Sequence, residues 1–271
     1  MGNPERRPPE TITSQDLRAY IDAQDDFAFE REVYHKAQGL GMSAEHAGLY
    51  EDPVTNKPRQ FDIRATKTVA DQMIALAIEC KGLSATYPLL VSCVPRSRAE
   101  SVHEILYTEN APGAGGSHTR VAGKGGSYRE GEPVGKSMRQ IRRDSRGELT
   151  GGDEVFDKWM QALGSAAGLI ENAANLLSVP GPARPRYAAI VPVLVVSDGT
   201  LWVADYAPNG RINQDPFTVP EITFYLGRRY ELPREHLTFT VSHLNIYTRG
   251  HVHTLFQEIT GGGEIWPRLF R

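Results

Sequence analysis

The stretch Phe61-Asp62-Ile63-Arg64, followed after a turn by Ile74-Ala75-Leu76-Ala77-Ile78-Glu79-Cys80-Lys81, sets the fold of this chain. Residues 73–80 are apolar except for Glu79, the pattern of a central strand covered on both faces. Alternate strand residues point to opposite faces, so Glu79 and Lys81 share one face and Cys80 takes the other. Asp62 belongs to the strand before. If the two strands pair, Asp62 reaches Glu79. Two carboxylates and an ammonium then meet at the edge of an apolar core, which is costly unless compensated. A divalent cation is the simplest compensation.

Working outward, Ser14 reads as the N-cap of a short helix through Ala23, and Asp25 and Asp26 open a second. Phe29, Val33 and Ala37 form its buried stripe, and Gly39 or Gly41 ends it. Residues 45–60 read as irregular structure or a weak strand through Leu49-Tyr50. Downstream, Tyr87–Val94 reads as a third buried strand, 99–107 as a short helix and 109–135 as a long Gly-rich loop. Residues 153–177 read as a helix capped by Asp153, with Phe156, Met160, Leu163, Ala167, Ile170, Ala174 and Leu177 inward and Pro180-Gly181-Pro182 as its stop. Ala188–Val196 is another strand, and Asp198-Gly199 a hairpin turn into Leu201–Tyr206. A late strand starts at Leu237, and Val252, Leu255, Phe256 and Ile259 mark a last helix. Strands and helices alternate, so the class is α/β with a mixed central sheet flanked by helices. Residues 1–12 are expected to be a disordered lead and 13–271 one domain, with 109–135 a flexible insertion.

Of the 271 residues, 40% are hydrophobic and 23% charged, with a formal charge of −3. Such a composition fits a globular protein and does not by itself advertise nucleic acid. Cys80 and Cys93 lie in apolar runs and read as buried thiols of a reducing compartment. The polar, Pro-rich start has no apolar signal core, and the run Tyr187–Val196 is too short to span a bilayer. The expectation is a cytoplasmic protein that does not enter membranes.

The order Asp62-x16-Glu79-x-Lys81 on two apolar strands has a matching context. A helix carrying Phe29-Glu30-x-Glu32-Val33 and stopping at Gly39 or Gly41 comes first, and Tyr50-Glu51-Asp52-Pro53 leads into Arg59-Gln60-Phe61-Asp62. Over residues 25–92 this resembles the PD-(D/E)XK nuclease superfamily, with Phe61 where the pattern usually has Pro. The resemblance implies a restriction-endonuclease-like core and a Mg²⁺- or Mn²⁺-dependent endonuclease acting on DNA, in phage defence, restriction or repair. RNA stays open as a substrate. Asp62, Glu79 and the Cys80 carbonyl would hold the metal. Glu30, with Glu32 as the alternative, would orient a metal-bound water or hold a second ion. Lys81 would stabilise phosphate charge or orient the attacking water. A residual site on a binding module is the competing reading, and so is an ordinary strand-end ion pair.

Between residues 120 and 146, eight Lys and Arg (Arg120, Lys124, Arg129, Lys136, Arg139, Arg142, Arg143, Arg146) face three acids. A basic, Gly-rich segment suits a phosphate backbone, and a solvated charged loop is the plain alternative. Residues 135–141 resemble the helix that follows the catalytic strands in that superfamily, with Gln140 near the site. Gly131-Glu-Pro-Val-Gly135-Lys136-Ser137 is one residue short of a P-loop and follows no apolar strand. His251-Val-His253 lacks a third ligand. No sequence-reading motif is evident, so a second copy or an accessory partner protein would have to supply target selection.

Overall fold

The computed structural model describes residues 11–24, 26–110, 117–152, 154–179, 181, 184–261 and 268–271. Asp25, Asp153, Pro180, Pro182, Trp266 and most of the N-terminal lead lie outside the described residues. Helices α1 (Ser14–Gln24) and α2 (Asp26–Gly39) precede β1 (Ser43–His46), β2 (Leu49–Glu51), β3 (Pro58–Gln60), β4 (Ile63–Val69) and β5 (Gln72–Lys81). Then come β6 (Leu89–Pro95), β7 (His103–Asn110), β8 (Ser117–Lys124), β9 (Pro133–Arg143) and β10 (Leu149–Gly152). Helix α3 (Glu154–Ser178) leads to β11 (Tyr187–Val196), β12 (Leu201–Asp205), β13 (Phe217–Thr218), β14 (Glu221–Leu232), β15 (Leu237–Thr248) and α4 (Val252–Thr260).

One mixed sheet runs β1-β4-β5-β11-β15-β14-β9-β6-β12-β13, with β7 joined to β11 and β8, and β10 joined to β9. β4 and β5 are antiparallel, with Ile63 opposite Ile78. β11 runs parallel to β5 over its whole length, because α3 carries the chain back across the sheet between them. The alternation of β5 divides the core in two. Ile74, Leu76, Ile78 and Cys80 face α2 and α4, and Met73, Ala75 and Ala77 face α3. Both faces are sealed, as the unbroken apolar run requires. Phe29, Val33 and Ala37 are buried on α2, and Val252, Leu255, Phe256 and Ile259 on α4. Cys80 and Cys93 are free, buried thiols.

Helix α3 covers its sheet face with small residues. Ala162, Ala166, Ala173 and Ala174 alternate with Leu163, Ile170 and Leu177, and Gly164 brings the helix against the Tyr50 ring, where a Cβ would stand 2.8 Å from the hydroxyl. The inner stripe is rotated from the expected one: Phe156 is half exposed, and Met160 and Ala167 are only partly buried.

The structure corrects several expectations. The cap of α1 is Thr13, whose hydroxyl accepts from the Asp16 N–H at 3.2 Å while Asp16 returns a bond to the Thr13 N–H at 2.8 Å, a reciprocal box. Residues 99–107 are a single 3-10 turn followed by β7, because Ile105 and Leu106 are both buried, one on each sheet face. Much of 109–135 is strand: β8 pairs with β7 from His103/Lys124 to Asn110/Ser117, and an edge strand needs few apolar residues. Residues 135–141 are strand, not helix. Gly135 lies where a Cβ would be 2.6 Å from Val91 and 2.8 Å from Phe224, so its lack of a side chain serves strand contact. Gly199 makes its turn with φ +73°, yet no hairpin forms. Both edges of β11 are taken by β5 and β15, and β12 goes to β6 instead. Among the described residues no helix is long and apolar enough to cross a membrane.

A buried polar cluster lies on β15. His243 is 2% exposed, stacks on the Tyr128 ring at 3.7 Å and shares Nδ1 with the Ser242 hydroxyl at 2.8 Å. Burial, reinforced by the Arg96 and His103 charges, pushes its pKa from 6.5 down to about 3. The unfolded chain therefore takes up a proton below pH 6.5 that the fold refuses until about pH 3, and this contribution to stability is lost as pH falls through that window. At about pH 5 the loss is about 2 kcal/mol. Urea unfolding at pH 7.5 and 5 should show a smaller difference for His243→Gln than for wild type; equal differences would refute the assignment.

Candidate functional site: an acidic pair at a strand end

The β4/β5 register sets Asp62, just before β4, beside Glu79 near the end of β5. The Asp62 N–H donates to Glu79 Oε1 at 3.3 Å, and the Cys80 N–H donates to Asp62 Oδ2 at 2.8 Å. Asp62 is 7% exposed and Glu79 fully buried. Burial, and then the Asp62 charge, push the Glu79 carboxyl well above the usual range against the pull of Lys158. Glu79 Oε2 has no hydrogen-bond partner among the described residues.

The cation on this pair is Lys158, from the second turn of α3. Its Nζ donates to Asp62 Oδ1 at 3.1 Å and Oδ2 at 3.0 Å and stands 3.7 Å from Glu79 Oε2. Burial works to lower the Lys158 pKa, but Asp62 and Glu79 outweigh it and the pKa is raised. Arg64 ties α3 to β4: its Nε donates to Ser165 Oγ at 3.1 Å and its Nη2 to the Ser165 carbonyl at 2.9 Å, with the guanidinium over the Phe61 ring at 4.4 Å. That clamp holds Lys158 over the carboxylates.

Lys81 is not in this group. Its Nζ lies 3.2 Å from Asp26 Oδ2, and Asp26 Oδ1 accepts the Gly82 N–H at 2.7 Å. The end of β5 is thus bound to the first turn of α2, and the Lys81 ammonium follows its partner rather than the alternation that would aim it at Asp62. Glu30 is one helical turn beyond Asp26, and its Oε2 lies 3.2 Å from His46 Nε2. With Asp62, Lys158, Gln161, Phe27 and Arg59 it lines a cleft of about 440 Å³. Glu32 points elsewhere, paired with Lys36 at 2.8 Å and Arg249 at 3.7 Å.

Lys158 and Gln161 were not legible as site residues. Three apart on a helix, they share a face, and that spacing beside the buried stripe was the one available signal. The basic stretch lies on β8, the loop that follows it, β9 and the turn before β10. Arg120 pairs with Glu109, Lys136 with Glu100, and Arg146 with Asp144. Gln140 is buried against the start of α3, donating to the Tyr87 carbonyl at 3.2 Å, outside the cleft. Arg139 reaches the first turn of α3 beside Val155 and Phe156.

Among the described residues no group of three or more His, Cys, Asp or Glu is arranged to hold a metal. The pair itself still suits a hard cation. Two carboxylates converge, one oxygen is orphaned, and the Cys80 carbonyl leaves β5 on the same side as its N–H, toward Asp62. Mg²⁺ commonly needs only one or two protein carboxylates and keeps its waters. No protein-family model, curated protein or solved structure matches the chain.

Proposed function

We propose that the chain is a metal-dependent nuclease with a restriction-endonuclease-like core, cleaving DNA phosphodiester bonds at the Asp62–Glu79 pair. The observation that carries this reading is that pair: two buried carboxylates side by side at the strand end, the Asp62 N–H donating to Glu79 Oε1 at 3.3 Å, with Asp62 lining an open cleft. The run α2, β1, β4, β5, α3, β11, with β5 and β11 parallel, supports the same core.

Asp62, Glu79 and the Cys80 carbonyl would hold Mg²⁺ or Mn²⁺. Such an ion, when bound, activates water and stabilises charge on phosphate oxygens. The chain's own groups do the rest. Lys158 supplies positive charge to the substrate phosphate from the α3 side of the cleft. Glu30, steadied by His46, orients water from the α2 side. Arg59, on the cleft wall and paired with Asp52 at 2.8 Å, offers a cation for a polyanion. Lys81 serves the architecture by tying β5 to α2.

One observation favours a second reading, a binding module or accessory subunit that no longer cuts. Lys158 already sets a cation against the acidic pair, 3.0 Å from Asp62 and 3.7 Å from Glu79, where a metal would otherwise stand. Calorimetric Mn²⁺ titration, with plasmid, linear duplex, single-stranded DNA and RNA incubated in Mg²⁺ and Mn²⁺, separates the two. The nuclease reading expects Mn²⁺ binding that Glu79→Gln removes, and cleavage of at least one DNA form. Nucleic-acid binding with neither metal uptake nor cleavage would establish the module instead.

A further inference from the structure

An apolar cavity of about 450 Å³ lies on the opposite side of the core from α3. Leu76, Val191 and Tyr247 of the sheet form its floor, Leu255 of α4 one wall, and Tyr128 and Val219 line it further. That volume suits a drug-sized organic molecule.

Two of its polar groups, Arg96 and Ser127, carry buried donors that are unmet among the described residues. Arg96 is 3% exposed. Its Nη1 donates to the Arg129 carbonyl at 3.1 Å, its Nη2 bonds the Thr223 hydroxyl, and its guanidinium lies over the Tyr128 ring at 5.4 Å. Arg96 Nε has no partner among the described residues, nor has the buried Ser127 hydroxyl. Both residues line the cavity. Unmet buried donors are costly. The two other unpaired nitrogens nearby, on His103 and His243, border a separate void of about 20 Å³, the size of one water. The large cavity is too roomy and too apolar for that solution.

Arginine only donates, and its fork suits carboxylate, sulfonate or phosphate. Of the cavity's acids, Glu132 pairs with Arg96 only from the rim and through Nη1, which leaves Nε unmet. Glu132, 3.4 Å from Arg96 Nη1, and Glu221, 3.6 Å from His251, are both half exposed, while the Arg96 side chain is 2% exposed. We propose that this cavity binds a small amphiphilic anion, its head group held by Arg96 and Ser127 and its apolar or aromatic body by the walls. The proposal is independent of the acidic cleft.

The probe is 1-anilinonaphthalene-8-sulfonate, an aromatic anion that fluoresces in apolar surroundings, with octanoate and octylamine as competitors. Saturable binding of one probe per chain is expected, with octanoate displacing it at about tenfold lower concentration than octylamine. Arg96→Met should weaken probe binding by about tenfold. Val219→Trp fills the cavity from a partly buried position without touching the Arg96 network, and should abolish binding while leaving the urea midpoint in place. No saturable binding, equal competition by the amine, or wild-type binding by a folded Val219→Trp would each overturn the proposal.

Discussion

Glu79→Gln should lower DNA cleavage by about 10³-fold or more while leaving the protein as stable as wild type or more so. The two effects have one cause. Glu79 is fully buried, and burial and Asp62 push its carboxyl well above the ordinary range. An amide of the same shape still accepts the Asp62 N–H through Oε1 without the cost of a buried charge. A gain of about 1 kcal/mol is expected, the trade-off of a site kept for chemistry. Asp62→Asn should lose cleavage equally but with the opposite sign in stability. Its amide keeps the Cys80 N–H bond and gives up the charge that holds Lys158 at 3.0 Å. Cleavage rates and urea midpoints for both variants check this. A folded Glu79→Gln that cuts like wild type would end the nuclease reading, and losses of activity that merely follow losses of fold would remove its support.

What could be read from residues alone follows the physics of each element. The Phe61–Arg64 and 73–81 strands were legible because an apolar run closed by a charged residue admits few other arrangements, and their pairing brings Asp62 to Glu79 as the spacing required. The helices were legible where a 3.6-residue stripe was long, as on α3 and α4. The strands β7, β8 and β9 were not. Their signals are mixed, with glycines and basic residues on β8 and β9 and polar residues on β7, and only the pairing of β8 to β7 and of β9 to β6 makes them strands. At the site, a period of two places Lys81 on the Glu79 face, but a long side chain at a strand end is free to turn, and Asp26 was the nearer anion. Lys158 is 96 residues from Asp62 in sequence. No local pattern joins them, and the clamp of Arg64 on Ser165 that does so is tertiary.

That distant lysine carries the second large effect. Lys158→Met keeps the length of the aliphatic stem and deletes the ammonium, leaving Asp62 and Glu79 without the cation 3.0 and 3.7 Å away. Removing one side of a buried ion pair costs about 3 kcal/mol, and the carboxylates left behind, with side chains 9% exposed on Asp62 and 0% on Glu79, are buried enough for that to apply. The loss should appear in urea unfolding with EDTA present. Mn²⁺ should reverse it: an ion at 100 times its Kd stabilises the fold by about 2.7 kcal/mol, and the variant, with no ammonium to displace, should bind it more tightly than wild type. Lys81→Met makes the control. Its partner Asp26 is 25% exposed and Lys81 28%, so its ion pair should contribute no more than about 1 kcal/mol, and Mn²⁺ should stabilise that variant as it does wild type. If Mn²⁺ fails to restore Lys158→Met, the acidic pair is a lysine's partner and not a metal's. If Lys81→Met instead loses metal-dependent stabilisation, the strand lysine and not the helix lysine belongs to the site.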